Sequence, residues 1–150
     1  MRLADFLDPT AVCLALRAES KEAVRDELVG LLRLDERSTE TLTRLIRRRE
    51  ALGSTGVGRG IAIPHCRSLA VSRLRLAFGL HARGLDYDAI DGRPVHVFFL
   101  IVAPPVEVAN QYLQVLARIA QFAQQPHVAE RLRSLTSAEQ LFALLDEKGA

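Results

Sequence analysis

The chain has 150 residues, of which 49% are hydrophobic and 25% charged, and this composition is ordinary for a soluble globular protein. We expect one domain over residues 1–150, since a chain of this length buries about 70% of its unfolded surface. The longest apolar run, residues 97–106, contains two prolines and is too short for a membrane-spanning helix, which needs about 20 apolar residues. Asp5 and Asp8 interrupt the apolar region that a signal peptide would need, so the sequence predicts a cytoplasmic protein without membrane insertion.

The net charge of +2 is unevenly distributed along the chain. Residues 44–75 contain eight arginines and one acid, Glu50, and therefore carry +7, which leaves −5 for the rest of the chain. Such a segment suits an anionic ligand or an acidic partner surface. Nucleic-acid binding through Arg47, Arg48 and Arg49 is less favoured, because the chain has no overall basic excess.

Cysteine and histidine spacing gives no sign of a metal centre. Cys13 and Cys66 form neither a disulfide framework nor a metal motif, and no pair of histidines has ligand spacing with a convincing third ligand. We therefore expect neither a metal nor another cofactor.

The first helices and strands can be placed in chain order. Ser20 is a candidate N-cap of a first helix, and a second helix is predicted to begin near Ser38 or Thr39 and to end at Gly53. Residues 61–63 read as a short strand that Pro64 stops. Residues 74–80 alternate between apolar and more polar types, which predicts a half-buried strand.

The second half of the chain predicts a buried strand and two more helices. Asp91-Gly92 signals a turn, and the continuous apolar run of residues 97–102 predicts a central strand buried on both faces. A helix that ends near Pro126 follows, and Ser137 opens a last helix with a capping-box pattern. In the helix that ends near Pro126, one apolar face is predicted to consist of Leu113, Leu116, Ala117 and Ala120. The order helix, helix, strands, helix, helix predicts an α/β (α+β) fold, a mixed β-sheet flanked by helices.

The segment RREALGSTGVGRGIAIPH, residues 48–65, raises the question of a phosphate site. Gly53 to Gly58 has the glycine spacing of a P-loop, but Arg59 and Gly60 stand where lysine and a hydroxyl belong. A helix enters this segment and a strand leaves it, which is the reverse of a P-loop. The glycines lack the Rossmann spacing as well, so nucleotide binding is disfavoured.

The same residue types suit a phosphoryl group that is not part of a nucleotide. His65 is a candidate nucleophile, because an imidazole with a reference pKa near 6.5 is largely unprotonated at cellular pH. Arg49 offers a planar fork that can hold two phosphate oxygens. The remaining candidates are hydroxyl donors and glycines whose N–H groups can form an anion-binding concavity: Ser54, Thr55, Gly56 and Gly58. Each residue alone is more often structural, and the prediction rests on their occurrence together.

This segment resembles the active-site signature of the enzyme IIA domains of the bacterial phosphotransferase system, fructose/mannitol class, and most of all their nitrogen-regulatory branch. YDAIDGRPV at residues 87–95 and YLQVLARIAQ at residues 112–121 fit the family as well. The resemblance implies that His65 accepts a phosphoryl group from the phosphocarrier protein HPr or its nitrogen-branch counterpart, beside Arg49. It implies a regulatory phosphoryl carrier with a phosphohistidine intermediate, rather than a stand-alone small-molecule enzyme.

Two positions depart from the family pattern. Cys66 follows the histidine where glycine is usual, and Tyr112 stands where active members often have a second histidine. Tyrosine can donate a hydrogen bond but is neutral at cellular pH, and we expect Tyr112 to support His65 adequately. Two alternatives remain open: an enzyme IIA component of a sugar-uptake system, and a binding-only module that has lost phosphoryl transfer because of Tyr112.

Overall fold

The structure, a computed structural model, describes residues 1–150 apart from the side chain of Val108. Six strands form one sheet: β1 (Leu7–Cys13), β2 (Gly56–Gly58), β3 (Ile61–Ala62), β4 (His65–Arg67), β5 (Arg75–Leu85) and β6 (Val95–Ala103). Five α-helices accompany it: α1 (Lys21–Gly30), α2 (Glu36–Ala51), α3 (Gln111–Gln124), α4 (Val128–Arg133) and α5 (Ala138–Glu147). Short 3-10 helices at Leu3–Phe6 and Val108–Asn110 precede β1 and α3.

The sheet is mixed, as predicted, and β6 is its centre. The strand order is β1-β5-β6-β3-β2, and β4 also pairs with β6, beyond β3 along the same edge. β6 is parallel to β3 and β4 and antiparallel to β5, while β1 is parallel to β5. The predicted central strand is confirmed, because every residue of β6 except His96 is buried.

A strand is present where residues 74–80 predicted one, but the prediction that only one of its faces is buried is wrong. β5 is buried without a break from Leu76 to His81, so both of its faces are covered. Phe78 packs edge-on against Phe99 of β6 with ring centroids 5.1 Å apart. A Cβ on Gly79 would come within 3 Å of Leu16 and Leu28 side-chain atoms, which shows how closely α1 and the segment before it cover the sheet here.

The helix signals are confirmed with two corrections. The Ser20 and Ser137 side chains accept hydrogen bonds from the N–H groups of Ala23 and Gln140, as N-caps do. α2 begins at Glu36 rather than near Ser38, because Asp35 is the residue that caps it.

α3 ends just before Pro126, as expected. The face that it buries is not the predicted apolar face, which contained Leu113. The buried residues are Tyr112, Val115, Ile119, Phe122 and Ala123, whereas Leu113 is 57% exposed. Tyr112 therefore faces the protein, and Leu113 faces outward.

Four elements, β1, β2, β4 and α4, have no counterpart among the predicted helices and strands. β1 contains Pro9, which an edge strand tolerates because it need not donate to a neighbour. β4 resumes the sheet immediately after Pro64, where the strand was expected to stop. α4 follows Pro126 and His127, and His127 takes the left-handed conformation just before it.

No helix in the described part of the chain has the length and apolar character needed to cross a membrane.

Candidate phosphoryl site

His65 is the first residue of β4, and its imidazole is held by the backbone that precedes it. Its Nδ1 lies 2.6 Å from the carbonyl oxygen of Ile63, and the Pro64 carbonyl accepts a hydrogen bond from the Ile101 N–H of β6. A carbonyl can only accept, so Nδ1 carries the proton and Nε2 keeps a free lone pair. No described residue forms a hydrogen bond with Nε2. The ring is half-buried and presents one nucleophilic nitrogen.

The surroundings of His65 favour its neutral form. Its pKa lies below the usual 6.5, first because burial disfavours the charged imidazolium and then because the Arg49 guanidinium lies nearby. The hydrogen bond to Ile63 and the charge of Glu50 act in the opposite direction. A neutral imidazole is the nucleophilic form of histidine, and the surroundings of His65 favour that form.

Arg49 lies in the last turn of α2 and is tied to the residues that follow the helix. Its Nη1 donates a hydrogen bond to the Gly53 carbonyl at 2.9 Å. Gly53, which was expected to cap α2, lies one residue after the observed C-cap, Leu52, because the helix ends at Ala51. The end of α2 thus carries a cation within electrostatic range of His65.

Glu50 organises the loop after α2, and sequence reasoning gave it no role. Its carboxylate accepts hydrogen bonds from the backbone N–H and the hydroxyl of Thr55, and from the hydroxyl of Tyr87 at 3.1 Å. Thr55 and Tyr87 are both buried. The Thr55 hydroxyl is therefore engaged within the protein, and so is Glu50.

The Ser54 hydroxyl also serves the loop itself. It donates to the Tyr87 carbonyl at 2.5 Å and accepts from the Gly56 N–H at 3.0 Å. Gly56 lies so close to the 87–92 segment that a Cβ would be 2.7 Å from the Cβ of Ala89. Ser54 and Gly56 thus bind the loop to that segment, and their polar groups point to the scaffold of the site.

The glycine-rich stretch forms a β-hairpin, and a carboxylate of the same chain lies against its turn. Gly58, Arg59 and Gly60 have positive φ angles of 94°, 58° and 76°, which make the tight turn between β2 and β3. The Arg59 N–H donates to Asp91 Oδ2 at 3.1 Å. Of the two glycine N–H groups expected to face phosphate, that of Gly56 donates to the Ser54 hydroxyl instead.

The sheet register also separates this turn from His65. Gly58 pairs with Ile61, which pairs with Val97, whereas His65 pairs with Ile101, four residues further along β6. At about 3.3 Å per residue the offset is about 13 Å along the strand. This offset argues against a direct contact between Gly58 and a phosphoryl group on His65.

Tyr112, at the start of α3, lies beside His65. The two ring centroids are 6.0 Å apart and the rings are tilted by 57°. Burial raises the pKa of the Tyr112 hydroxyl to about 12, so Tyr112 is neutral at cellular pH. The structure therefore brings together His65, Arg49 and Tyr112, which lie on three separate elements.

A second arginine, Arg67, packs over the ring of Tyr112. Its guanidinium carbon is 4.4 Å from the centroid of the Tyr112 ring, in cation–π geometry. Its Nη1 donates to Glu107 Oε1 and to the Pro104 carbonyl, each at 3.2 Å. In the sequence, Arg67 is only one of the eight arginines of residues 44–75. Its position two residues after His65 was the signal that could have singled it out, because alternate residues of a strand share a face.

The described contacts of Cys66, His81 and His96 are with the core and the backbone. Cys66 is buried, and burial raises the pKa of its thiol to about 12, so it is a small core residue. His81 is within β5, where its Nε2 lies 2.7 Å from the Ala18 carbonyl, and His96 Nδ1 lies 3.1 Å from the His81 carbonyl. In the described part of the chain, no three His, Cys, Asp or Glu residues are grouped to hold a metal ion.

The comparison with known protein families decides the class of this site. Residues 5–148 match the family described as "Phosphoenolpyruvate-dependent sugar phosphotransferase system, EIIA 2". The chain belongs to this enzyme IIA family. The resemblance drawn from the signature around His65 is thereby confirmed at the level of the family.

Individual relatives point to the nitrogen-regulatory branch. The chain is 34% identical to the nitrogen regulatory protein of Bradyrhizobium diazoefficiens over 149 residues, which is 97% of this chain and 95% of that protein. The crystal structure of nitrogen regulatory protein IIA-Ntr from Neisseria meningitidis superimposes with a TM-score of 0.86 and 31% identity, covering 95% of this chain and 98% of that one. The fructose-specific EIIABC component of Bacillus subtilis is 31% identical over 98% of this chain but only 23% of its own length.

Proposed function

We propose that this enzyme IIA protein is a nitrogen-regulatory phosphoryl carrier, which accepts a phosphoryl group on Nε2 of His65. The donor of the phosphoryl group is the phosphorylated histidine of HPr or of its nitrogen-branch counterpart. The phosphorylated enzyme IIA protein then acts in the cytoplasm on regulatory partner proteins. The observation that carries the proposal is the hydrogen bond between His65 Nδ1 and the Ile63 carbonyl, which leaves Nε2 as the nucleophile.

The transfer step follows from this geometry. The Nε2 lone pair forms a bond to phosphorus while the phosphorus–nitrogen bond to the donor imidazole breaks, and the donor nitrogen keeps the electron pair. The proton on His65 Nδ1 stays in place, because its hydrogen bond to Ile63 stabilises the positive charge that develops on the ring. Arg49 contributes a positive charge toward the equatorial oxygens of the phosphoryl group. Ser54, Thr55, Gly56 and Gly58 act as the scaffold that holds the end of α2 and the turn beside it.

An exposed apolar surface supports a protein as the donor. Four large apolar side chains are more than half exposed on the same segments that carry the site residues: Leu52 after Arg49, Leu69 after His65, Val106 before Glu107, and Leu113 after Tyr112. Exposed apolar side chains are typical of protein–protein interfaces. Addition of a phosphoryl group to His65 would change the charge near these side chains, which is how phosphorylation could select regulatory partners.

The alternative is an enzyme IIA component that passes its phosphoryl group toward sugar uptake, and the likeness to the fructose-specific component of Bacillus subtilis favours it. Transfer to a IIB protein in vitro, with accumulation of sugar phosphate, would indicate this role. Binding of a regulatory partner that depends on the phosphorylation state, without transfer to IIB, would indicate the nitrogen-regulatory role.

The first experiment is intact-protein mass spectrometry after incubation with phosphoenolpyruvate, enzyme I and HPr. We expect a gain of one phosphoryl group that disappears on acid treatment, as phosphohistidine does, and that is absent from a correctly folded His65→Ala variant. His127→Ala is the matched control, since His127 is an exposed histidine outside the site. No gain with donors proven active would overturn the carrier proposal and favour the binding-only module.

A further inference from the structure

Arg67 and His65 share one face of β4 and contact the same aromatic ring. The Tyr112 ring lies 6.0 Å from the imidazole, centroid to centroid, and 4.4 Å from the Arg67 guanidinium carbon. His65 pairs with Ile101 of β6 and Arg67 with Ala103, so the two residues are held in register by a buried strand. A second cation, in addition to Arg49, therefore contacts the ring that lies beside the candidate nucleophile.

Glu107 holds this cation in place at a cost in free energy. Its side chain is only 6% exposed, and its Oε1 accepts from Arg67 Nη1 at 3.2 Å and from the Tyr112 N–H at 2.8 Å. Its Oε2 is buried and has no hydrogen-bond partner. Burial of a carboxylate with an unpaired oxygen is unfavourable, so the arrangement is not explained by stability alone.

The guanidinium of Arg67 keeps donors free for a ligand. Its Nη1 is the only one of its nitrogens that donates to a described residue, toward Glu107 and Pro104. The N–H groups on Nε and Nη2 remain available, and a planar guanidinium can offer two parallel donors to phosphate oxygens. Arg67 could thus bind a phosphoryl group without leaving Glu107 or the Tyr112 ring.

We propose that Arg67 contacts the phosphoryl group that is transferred to His65, and that Tyr112 and Glu107 are the positioning residues that hold its guanidinium. This inference rests on the proposed function of His65. Tyr112 is neutral and cannot supply positive charge, and Arg67 supplies it through the face of the same ring. With Arg49 on the side of α2 and Arg67 on the side of α3, charge on the equatorial oxygens is neutralised from two directions as the new bond to Nε2 forms.

The test measures the rate of phosphorylation of His65 in Arg67 variants with two donors. One donor is phosphorylated HPr, and the other is phosphoramidate, a small molecule that transfers a phosphoryl group without protein docking. We expect Arg67→Met to slow both reactions about 10- to 100-fold, the factor that corresponds to loss of a charge-assisted hydrogen bond. Arg67→Lys should recover part of the rate, because it keeps the charge and loses the fork.

Arg83→Met is the matched control for loss of one positive charge. Arg83 is exposed on β5, at the end of the strand far from the Leu76–Ile101 pair beside His65. It should transfer at the wild-type rate with both donors. Circular dichroism and urea unfolding of all variants establish that they are folded. Because Arg67→Lys retains most of the side-chain contacts, it remains informative even if Arg67→Met is unfolded.

The positioning role of Tyr112 has its own readout. Tyr112→Leu removes the ring beneath Arg67 and should be slow, whereas Tyr112→Phe keeps the ring and should transfer faster than Tyr112→Leu. The double variant of Tyr112→Leu with Arg67→Met should be no slower than Arg67→Met alone, because both changes remove the same contact. Purely additive effects would overturn the positioning role.

The outcomes separate this inference from the proposed function. Wild-type rates for Arg67→Met with both donors would overturn the role of Arg67 and leave the carrier function intact. Slowing with HPr alone would also overturn it, since Arg67 would then act in docking. Absence of His65 phosphorylation in the wild-type protein would overturn both proposals.

Discussion

His65 Nδ1 donates a hydrogen bond to the carbonyl oxygen of Ile63, only two residues earlier in the chain, at 2.6 Å. This contact fixes the tautomer of the ring by local backbone geometry, independently of any partner. We therefore expect phosphorylation on Nε2 alone. Long-range ¹H–¹⁵N and ³¹P NMR of the phosphorylated protein distinguishes the two nitrogens, and phosphorylation on Nδ1 would contradict this reading of the site.

The pH dependence of transfer follows from the lowered pKa of His65. Burial and the nearby Arg49 charge hold this pKa below 6.5, so the neutral imidazole persists when the pH falls below that value. The transfer rate should stay constant through pH 6.5 and fall only near the lower pKa of the folded protein. An NMR titration of the imidazole protons measures this pKa directly, and a value at or above 6.5 would contradict the expectation.

Two neighbouring variants should move the pKa of His65 in opposite directions. Arg49→Gln removes a positive charge and should raise it, whereas Glu50→Gln removes a negative charge and should lower it further. The lowered pKa of His65 also makes the free energy of unfolding depend on pH. The contribution of His65 to stability is complete above pH 6.5 and is lost as the pH falls from 6.5 through the lower pKa of the folded protein, because over that range the unfolded chain binds a proton that the folded protein resists.

Glu50 should matter for stability out of proportion to its partial exposure. Glu50→Ala leaves the Tyr87 hydroxyl and both Thr55 donors without their acceptor in a buried environment. We expect the free energy of unfolding to fall by about 1–3 kcal/mol, the cost of leaving buried polar groups unsatisfied. Urea unfolding measures it. Glu40→Ala, an exposed glutamate on the same helix, should change stability by less than about 0.5 kcal/mol.

Gly56 and Gly30 form a matched pair for alanine substitution. A Cβ on Gly56 would lie 2.7 Å from the Cβ and 2.9 Å from the Cα of Ala89, so Gly56→Ala must displace backbone. We expect a loss of about 1–3 kcal/mol, as for other overpacked sites. A Cβ on Gly30, at the end of α1, meets nothing within 4 Å. Gly30→Ala should therefore be neutral or stabilising by up to about 1 kcal/mol, and thermal unfolding of the two variants compares them.

Features with a local cause were predictable from the sequence. The N-caps Ser20 and Ser137 act on N–H groups three residues away, and the apolar run of β6 is long enough to require burial on both faces. The family of the protein was also predictable, because the signature that ends at His65 is one continuous segment. In each case the residues that carry the signal are neighbours in the chain.

Features that depend on distant contacts were decided by the tertiary structure. β1, with Pro9 within it, is a strand because β5 offers it a parallel partner. The Arg59 N–H of the glycine turn donates to Asp91, because packing brings the 87–92 segment against the turn.

The sequence by itself determined the fold class, the family and the candidate nucleophile, His65. The tertiary structure decided which charges surround it. Glu50 is engaged by Thr55 and Tyr87, while Arg67 is stacked on Tyr112 and fixed by Glu107, a residue far away in the chain. The physical reason is that hydrogen bonds and charge interactions depend on separation in space, which β4 and α3 set only once they pack beside β6.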